Sequence, residues 1–322
     1  MNYRSIANLS EDIKRELHRV PKDVTLVVGI PRSGLLAANL MALYLNLPFT
    51  DIDSFLAGKL LGTGERGKRT KLAEQAFKGR ALIVDDSIYS GHAIELAKDM
   101  VKQANVQMPV SYCAIYGLPG TGRMADLVFQ YLEAPRVFEW NIFGDNHILQ
   151  QACVDIDGVL CIDPTEDEND DGEKYIEFML SAKARLLPKY KLGTLVTSRL
   201  EKYRAQTEAW LAEQGVTYNE LVMLDLPDKA TRIRMGAAAT FKAEEYKKRP
   251  QSKLFIESAP HQAETIFQLT GKPVYCVDTN EMLSPETSAV SKFKRRASRE
   301  VSLLRKVVRG GMGRFKLMLA GR

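Results

Sequence analysis

The chain has 322 residues, of which 45% are hydrophobic and 26% charged, a balance that suits two globular domains rather than one. No stretch offers the roughly 20 apolar residues of a membrane-spanning helix, and the opening MNYRSIANLSEDIKREL lacks the apolar core of a secretory signal. The net charge of +5 is uneven: residues 291–322 hold eleven Lys or Arg and one acidic residue, so the rest of the chain carries −5 (+5 less +10).

Apolar runs alternate with amphipathic stretches, which predicts an α/β fold with parallel strands. The first strong strand is Val24–Ile30, followed by a glycine turn and a helix over about Leu35–Leu45. Residues Phe55–Lys78 are rich in Gly, Lys and Arg and read as a mobile loop. Strand Ala81–Val84 leads into a second turn and helix, and Val110–Tyr116 reads as another strand. A second series begins with strand Ala152–Asp155, and the acidic Glu166–Glu173 is expected to be a solvated loop. Strand Leu192–Val196, helices Glu201–Gln214 and Ala237–Lys248, and strands Leu254–Glu257 and Val274–Val277 complete it. This order predicts domains over 1–148 and 149–285, with a tail over 286–322. Cys113, Cys153, Cys161 and Cys276 are scattered, three of them in or beside apolar runs. They read as free buried thiols in a reducing, cytoplasmic compartment rather than as a disulfide frame or metal site.

Two segments carry chemistry in the first domain. In Val28-Gly29-Ile30-Pro31-Arg32-Ser33-Gly34 a strand runs through a tight turn into a helix. Such a turn presents backbone N–H groups where the helix dipole favours anions, and Arg32 adds a positive charge. In Ala81-Leu82-Ile83-Val84-Asp85-Asp86-Ser87-Ile88-Tyr89-Ser90-Gly91-His92-Ala93 an apolar strand ends in two acids before a second turn. The turn can cradle a phosphate, and the acids can hold sugar hydroxyls or a hydrated magnesium ion.

The second segment resembles the phosphoribosyl-pyrophosphate signature of type I phosphoribosyltransferases, and the likeness extends over about residues 20–120. It implies that Asp85 and Asp86 bind the ribose hydroxyls. Ser87, Ile88, Tyr89, Ser90, Gly91 and His92 would bind the 5-phosphate, and Arg32, Ser33 and Gly34 the pyrophosphate. The basic stretch around Lys59–Lys71 would close over the donor. The family's phosphate loop usually ends in Gly or Thr and then Thr, where this chain has His92 and Ala93; one hydroxyl donor is missing, so backbone N–H groups and Ser90 carry more of the phosphate. His92 and Glu139 are candidates for a general base at the acceptor.

The second domain opens with Cys153-Val154-Asp155-Ile156-Asp157-Gly158, a strand that ends in two carboxylates on one turn. Asp155 and Asp157 alone would read as a turn with Asx-type hydrogen bonds. Later segments change that: Thr197-Ser198-Arg199, Lys242 on a helix, and Glu257-Ser258 after a strand follow in order. Together they resemble the four motifs of the haloacid dehalogenase superfamily over residues 150–280. The resemblance implies a Rossmannoid domain in which Asp155 is the nucleophile, Asp157 the proton shuttle, Thr197 a phosphate ligand and Lys242 a counter-charge. Magnesium would be held by Asp155, Asp157 and Glu257. Ser258 stands where a second carboxylate is common. The insert over 161–191 leaves room only for a small cap.

In the tail, Phe293, Ala297, Val301, Leu304 and Val308 share one helical face opposite basic residues. That pattern suits peripheral contact with an anionic membrane at its inner, cytoplasmic face, or docking on protein; aromatic interleaving is too sparse for nucleic acid. The domain order resembles the pair of enzymes that place ribofuranose on bacterial polysaccharides such as O antigen or capsule. It implies transfer of 5-phosphoribosyl from phosphoribosyl pyrophosphate to a glycan acceptor, lipid-linked, and then hydrolysis of the 5-phosphate. The alternatives are a nucleobase phosphoribosyltransferase coupled to a nucleotidase, or a non-catalytic sensor of phosphoribosyl pyrophosphate.

Overall fold

The computed structural model describes residues 1–61 and 75–285. Most of the Lys59–Lys71 stretch and the whole basic tail lie outside the described residues. The chain divides into two compact units, Asn2–Asn141 and, together with Met1, the part from Ile142 onward. The division falls ahead of the expected 148, and the short helix Asn146–Gln150 packs with the second unit.

The first unit begins with β1 (Asn2–Arg4) and helix α1 (Ile6–Glu16), whose amino end carries a capping box between Ser5 and Asn8. Its main sheet contains β2 (Val24–Gly29), β3 (Phe49–Asp51), β4 (Arg80–Ile88), β5 (Val110–Gly117) and β6 (Leu127–Tyr131). All neighbours are parallel, in the order β3-β2-β4-β5-β6. A short strand β7 (Arg136–Phe138) pairs with β1. Successive strand residues enter opposite cores: Val27, Leu82 and Val84 join one with Leu9, Ile13 and Met41, while Leu26, Val28 and Ile83 join the other with Ile94 and Ala97. Burial on both faces explains the apolar runs Leu26-Val27-Val28 in β2 and Ala81-Leu82-Ile83-Val84 in β4. Helices α2 (Gly34–Leu45) and α3 (His92–Gln103) follow β2 and β4.

The strand β4 is longer than its apolar run predicts. Asp85, Ser87 and Ile88 pair with Ala114, Tyr116 and Gly117 of β5, so both acids lie within the strand and the turn is confined to Tyr89–Gly91. The ladder to β5 extends the strand past the point where its hydrophobicity stops.

The second unit has a six-stranded sheet ordered β10-β9-β8-β11-β12-β13. These are β8 (Ala152–Val154), β9 (Leu192–Leu200), β10 (Tyr218–Leu224), β11 (Leu254–Glu257), β12 (Val274–Cys276) and β13 (Glu281–Leu283). The first five in that order are parallel, and β13 runs antiparallel to β12. A helix α4 (Glu173–Ser181) occupies the insert after β8, and α5 (Ala237–Lys247) follows β10 and one shorter helix. The acidic stretch before α4 is not simply solvated. Asp170 accepts from Gly172 N and Tyr175 N at the helix start, and Asp171 accepts from Lys229 N and the Tyr203 hydroxyl. All four cysteines are buried and free.

In each sheet the chain runs outward on one side and then returns to the other side of its first strand. The resulting switch points lie between β2 and β4 and between β8 and β11. Ligands in open parallel sheets bind at such crevices, beyond the carboxyl ends of the strands.

Candidate functional sites

The first switch point gathers the residues of the first domain's two motifs. Gly34 opens α2 so close to β4 that an added Cβ would lie 2.8 Å from Val84 O and 3.0 Å from Asp85 Cα. Only glycine lets the turn approach the carboxylates this way. The Pro31–Arg32 peptide before it is cis. Asp85 and Asp86 are buried, and Asp85 Oδ1 accepts from Asp86 N at 2.9 Å. Burial, then the neighbouring Asp86 charge, pushes Asp85 up to about 8. Burial raises Asp86 as well, against the hydrogen bond from Trp140. Beyond them Gly91 adopts φ +85°, and α3 begins at His92 with Ser90 Oγ 3.4 Å from His92 N. The free amides of a helix start face this turn, an arrangement suited to phosphate.

Residues 2–151 match the family model described as the phosphoribosyl transferase domain. Residues 2–151 form a phosphoribosyltransferase domain. The expected donor of such a domain is phosphoribosyl pyrophosphate. Solved structures similar to this chain include a purine phosphoribosyltransferase from Pyrococcus horikoshii Ot3, 17% identical, covering 43% of this chain and 92% of that one, with a TM-score of 0.33. A Helicobacter pylori xanthine-guanine-hypoxanthine phosphoribosyltransferase is 13% identical and covers 44% of this chain and 93% of that one, with a TM-score of 0.33. No curated protein matches the chain.

The phosphoribosyltransferase domain also places residues at this site that sequence reasoning missed. Trp140 Nε1–H donates to Asp86 Oδ2 at 2.7 Å. Arg136 Nη2 donates to Ile88 O at 2.7 Å, while its Nη1 is buried without a partner. Asn141 Oδ1 lies 3.5 Å from both Arg32 Nη2 and Ser33 Oγ. None of these follows an apolar run into a glycine turn, so no local pattern marks them. The two base candidates fare differently. Glu139 Oε2 accepts from Ile6 N at 2.6 Å and is spent on the amino end of α1, whereas His92 is exposed at the start of α3.

Outside the phosphoribosyltransferase domain, the second switch point brings Asp155, Lys242 and Glu257 into direct contact. Lys242 Nζ, buried, lies 2.6 Å from Asp155 Oδ2, 2.7 Å from Glu257 Oε2 and 3.0 Å from Gln262 Oε1. Burial lowers the affinity of Lys242 for its proton, but the two carboxylates outweigh it and hold the ammonium above its usual range. Burial pushes Asp155 up to about 8 against the pull of Lys242. Thr197 is fully buried on β9, and its Oγ1 accepts from Arg199 N at 3.2 Å.

Among the described residues no group of three or more His, Cys, Asp or Glu is placed to hold a metal ion. The Asp157 carboxylate is taken by Arg199, with Nη2 at 2.6 Å from Oδ1 and Nε at 3.1 Å from Oδ2. Burial raises Asp157, but the Arg199 charge and hydrogen bonds prevail and leave it below the usual carboxylate range. The Glu257 oxygens are shared between Lys242 and the amides of Ser258 and Ala259. One oxygen does fit a cation: Asp155 Oδ1 is buried with no partner. Ser258 Oγ lies 3.4 Å from the Asp157 carbonyl oxygen and 2.1 Å from where a Cβ on Gly158 would stand. Gly158 is thus required twice, by this approach and by its φ of +75°.

Proposed function

We propose that the chain transfers the 5-phosphoribosyl group from phosphoribosyl pyrophosphate to a glycan acceptor and then removes the 5-phosphate, leaving ribofuranose. The observation that carries the transfer is the Asp85–Asp86 pair, set between the Arg32–Gly34 turn and the amino end of α3. In this reading the two carboxylates accept the ribose hydroxyls, the amides around Ser90–His92 receive the 5-phosphate, and Arg32 meets the departing pyrophosphate. As the bond to pyrophosphate breaks, positive charge grows on the ribose ring, and the nearby acidic pair favours that charge. Magnesium, when bound, supplies further positive charge against the phosphate oxygens.

The second unit supports the hydrolytic half. Asp155 would attack the 5-phosphate as nucleophile while Lys242 offsets its charge. Asp157 would give a proton to the leaving ribose oxygen as its bond to phosphorus breaks, and then, as the carboxylate that Arg199 favours, would activate water for the second step. The small insert with α4 suits a bulky glycan, lipid-linked and presented at the inner face of a membrane that the basic tail contacts.

A nucleobase acceptor is a second reading, favoured by the aromatic pair Phe138–Trp140 beside Asp86, with ring centroids 4.8 Å apart. Incubation with donor, magnesium and panels of glycans and bases, read by pyrophosphate release and product mass, separates the two. Release with bases alone would replace the glycan reading, and failure to release pyrophosphate with any acceptor would favour a donor sensor. Asp155→Asn should leave transfer intact and trap a product still carrying its phosphate. Asp86→Asn should stop transfer while a supplied phosphoribosylated glycan is still hydrolysed.

A further inference from the structure

The segment from Arg136 to Asn141 reaches three parts of the donor site. Arg136 bonds to Ile88 O, Trp140 to Asp86, and Asn141 lies beside Arg32 and Ser33. Trp140 is the member that touches the acidic pair. Its indole is braced from the core: it stacks on Phe138 at 4.8 Å, and Phe138 stacks on the buried Tyr116 at 5.3 Å. The Tyr116 hydroxyl in turn donates to Asp12 Oδ2 at 2.9 Å. A hydrogen bond from so fixed a donor holds the carboxylate it meets in one rotamer. Asp85 has its own restraint, the Asp86 amide at 2.9 Å.

We propose that Trp140 is a positioning residue of the donor site, its indole N–H fixing the Asp86 carboxylate for the ribose hydroxyls. The proposal rests on the reading of residues 85–92 as the donor site. Trp140 acts through Asp86 and need not touch the donor's phosphates. Its loss should therefore weaken ligands that carry the ribose and spare those that do not.

Titration calorimetry with magnesium–phosphoribosyl pyrophosphate and with magnesium–pyrophosphate tests this on the full chain. Trp140→Phe keeps a ring and removes the N–H. It should weaken phosphoribosyl pyrophosphate by about 10-fold or more, the usual scale of a hydrogen bond to a charged group, and leave pyrophosphate within about twofold. β-(3-Benzothienyl)alanine in place of Trp140 keeps the indole shape without the N–H, and should give the same pattern if Trp140→Phe does not fold. Unchanged affinity for phosphoribosyl pyrophosphate in either variant overturns the proposal. So does an equal loss for both ligands, which marks general damage to the site. If the unaltered chain binds pyrophosphate but not phosphoribosyl pyrophosphate, the donor-site reading itself fails, and the role of Trp140 falls with it.

Discussion

At the scale of single residues, both sites place carboxylates where water cannot easily reach them. Asp85 ordinarily titrates near 3.8 and is held at about 8 by burial and by Asp86. Between those values the folded state binds more protons than the unfolded chain, so stability falls as pH rises through that window. The contribution is full below the unfolded value and lost by about pH 8. Asp85→Asn removes the charge that burial disfavours. It should stabilise the unliganded protein at pH 8 by on the order of 1–3 kcal/mol, with a smaller gain at pH 5, in denaturant titrations. An equal gain at both values would show that burial of the charge is not the cause. Such a gain from removing a functional group is the trade expected of a binding site. The acids themselves were legible because they follow apolar runs, although Asp85 and Asp86 lie within β4 rather than at its junction with α3. Arg199 was visible only as a member of a motif, and its grip on Asp157 was not. That pairing joins residues 42 positions apart, from the turn after β8 to the end of β9.

Among elements, the decisive feature is how closely a turn approaches its neighbouring strand. Gly34 begins α2 against Val84 O and Asp85 Cα. Gly34→Ala would force the turn away from β4 or push β4 aside, an overpacking that costs about 1–3 kcal/mol. Because the displaced atoms include Asp85 Cα and Oδ1, donor affinity should fall by at least about 10-fold, more than the stability loss alone explains. Calorimetry with phosphoribosyl pyrophosphate checks this, and unchanged affinity would mean that the turn does not set the carboxylate position. The strand–turn–helix order was readable from period and punctuation. The end of β4 was not, because the ladder to β5 continues through Asp85 and Ser87 after the apolar run has ended. Helix α1 escaped notice too, although its amino end is capped by Ser5 and Asn8 and further held by Glu139.

Across the whole molecule, two parallel-stranded sheets each expose a switch point, and each switch point collects one acidic constellation. A ligand that binds only the folded first unit stabilises that unit by mass action, by about 2.7 kcal/mol at 100 times its dissociation constant. Scanning calorimetry with phosphoribosyl pyrophosphate and magnesium should therefore raise one transition. The rise should vanish in Asp86→Asn and persist in Asp155→Asn. A shift lost in both variants would mean that the two sites do not act separately.

Order along the chain was enough to mark both α/β series, the acids at their strand ends and the turns beside them, because those signals come from residues adjacent in sequence. Packing alone decided which distant side chains complete each site. Trp140 meets Asp86 across 54 positions, and Lys242 meets Asp155 across 87. Those meetings depend on strand order and on the buried surfaces that set it, which no local periodicity encodes.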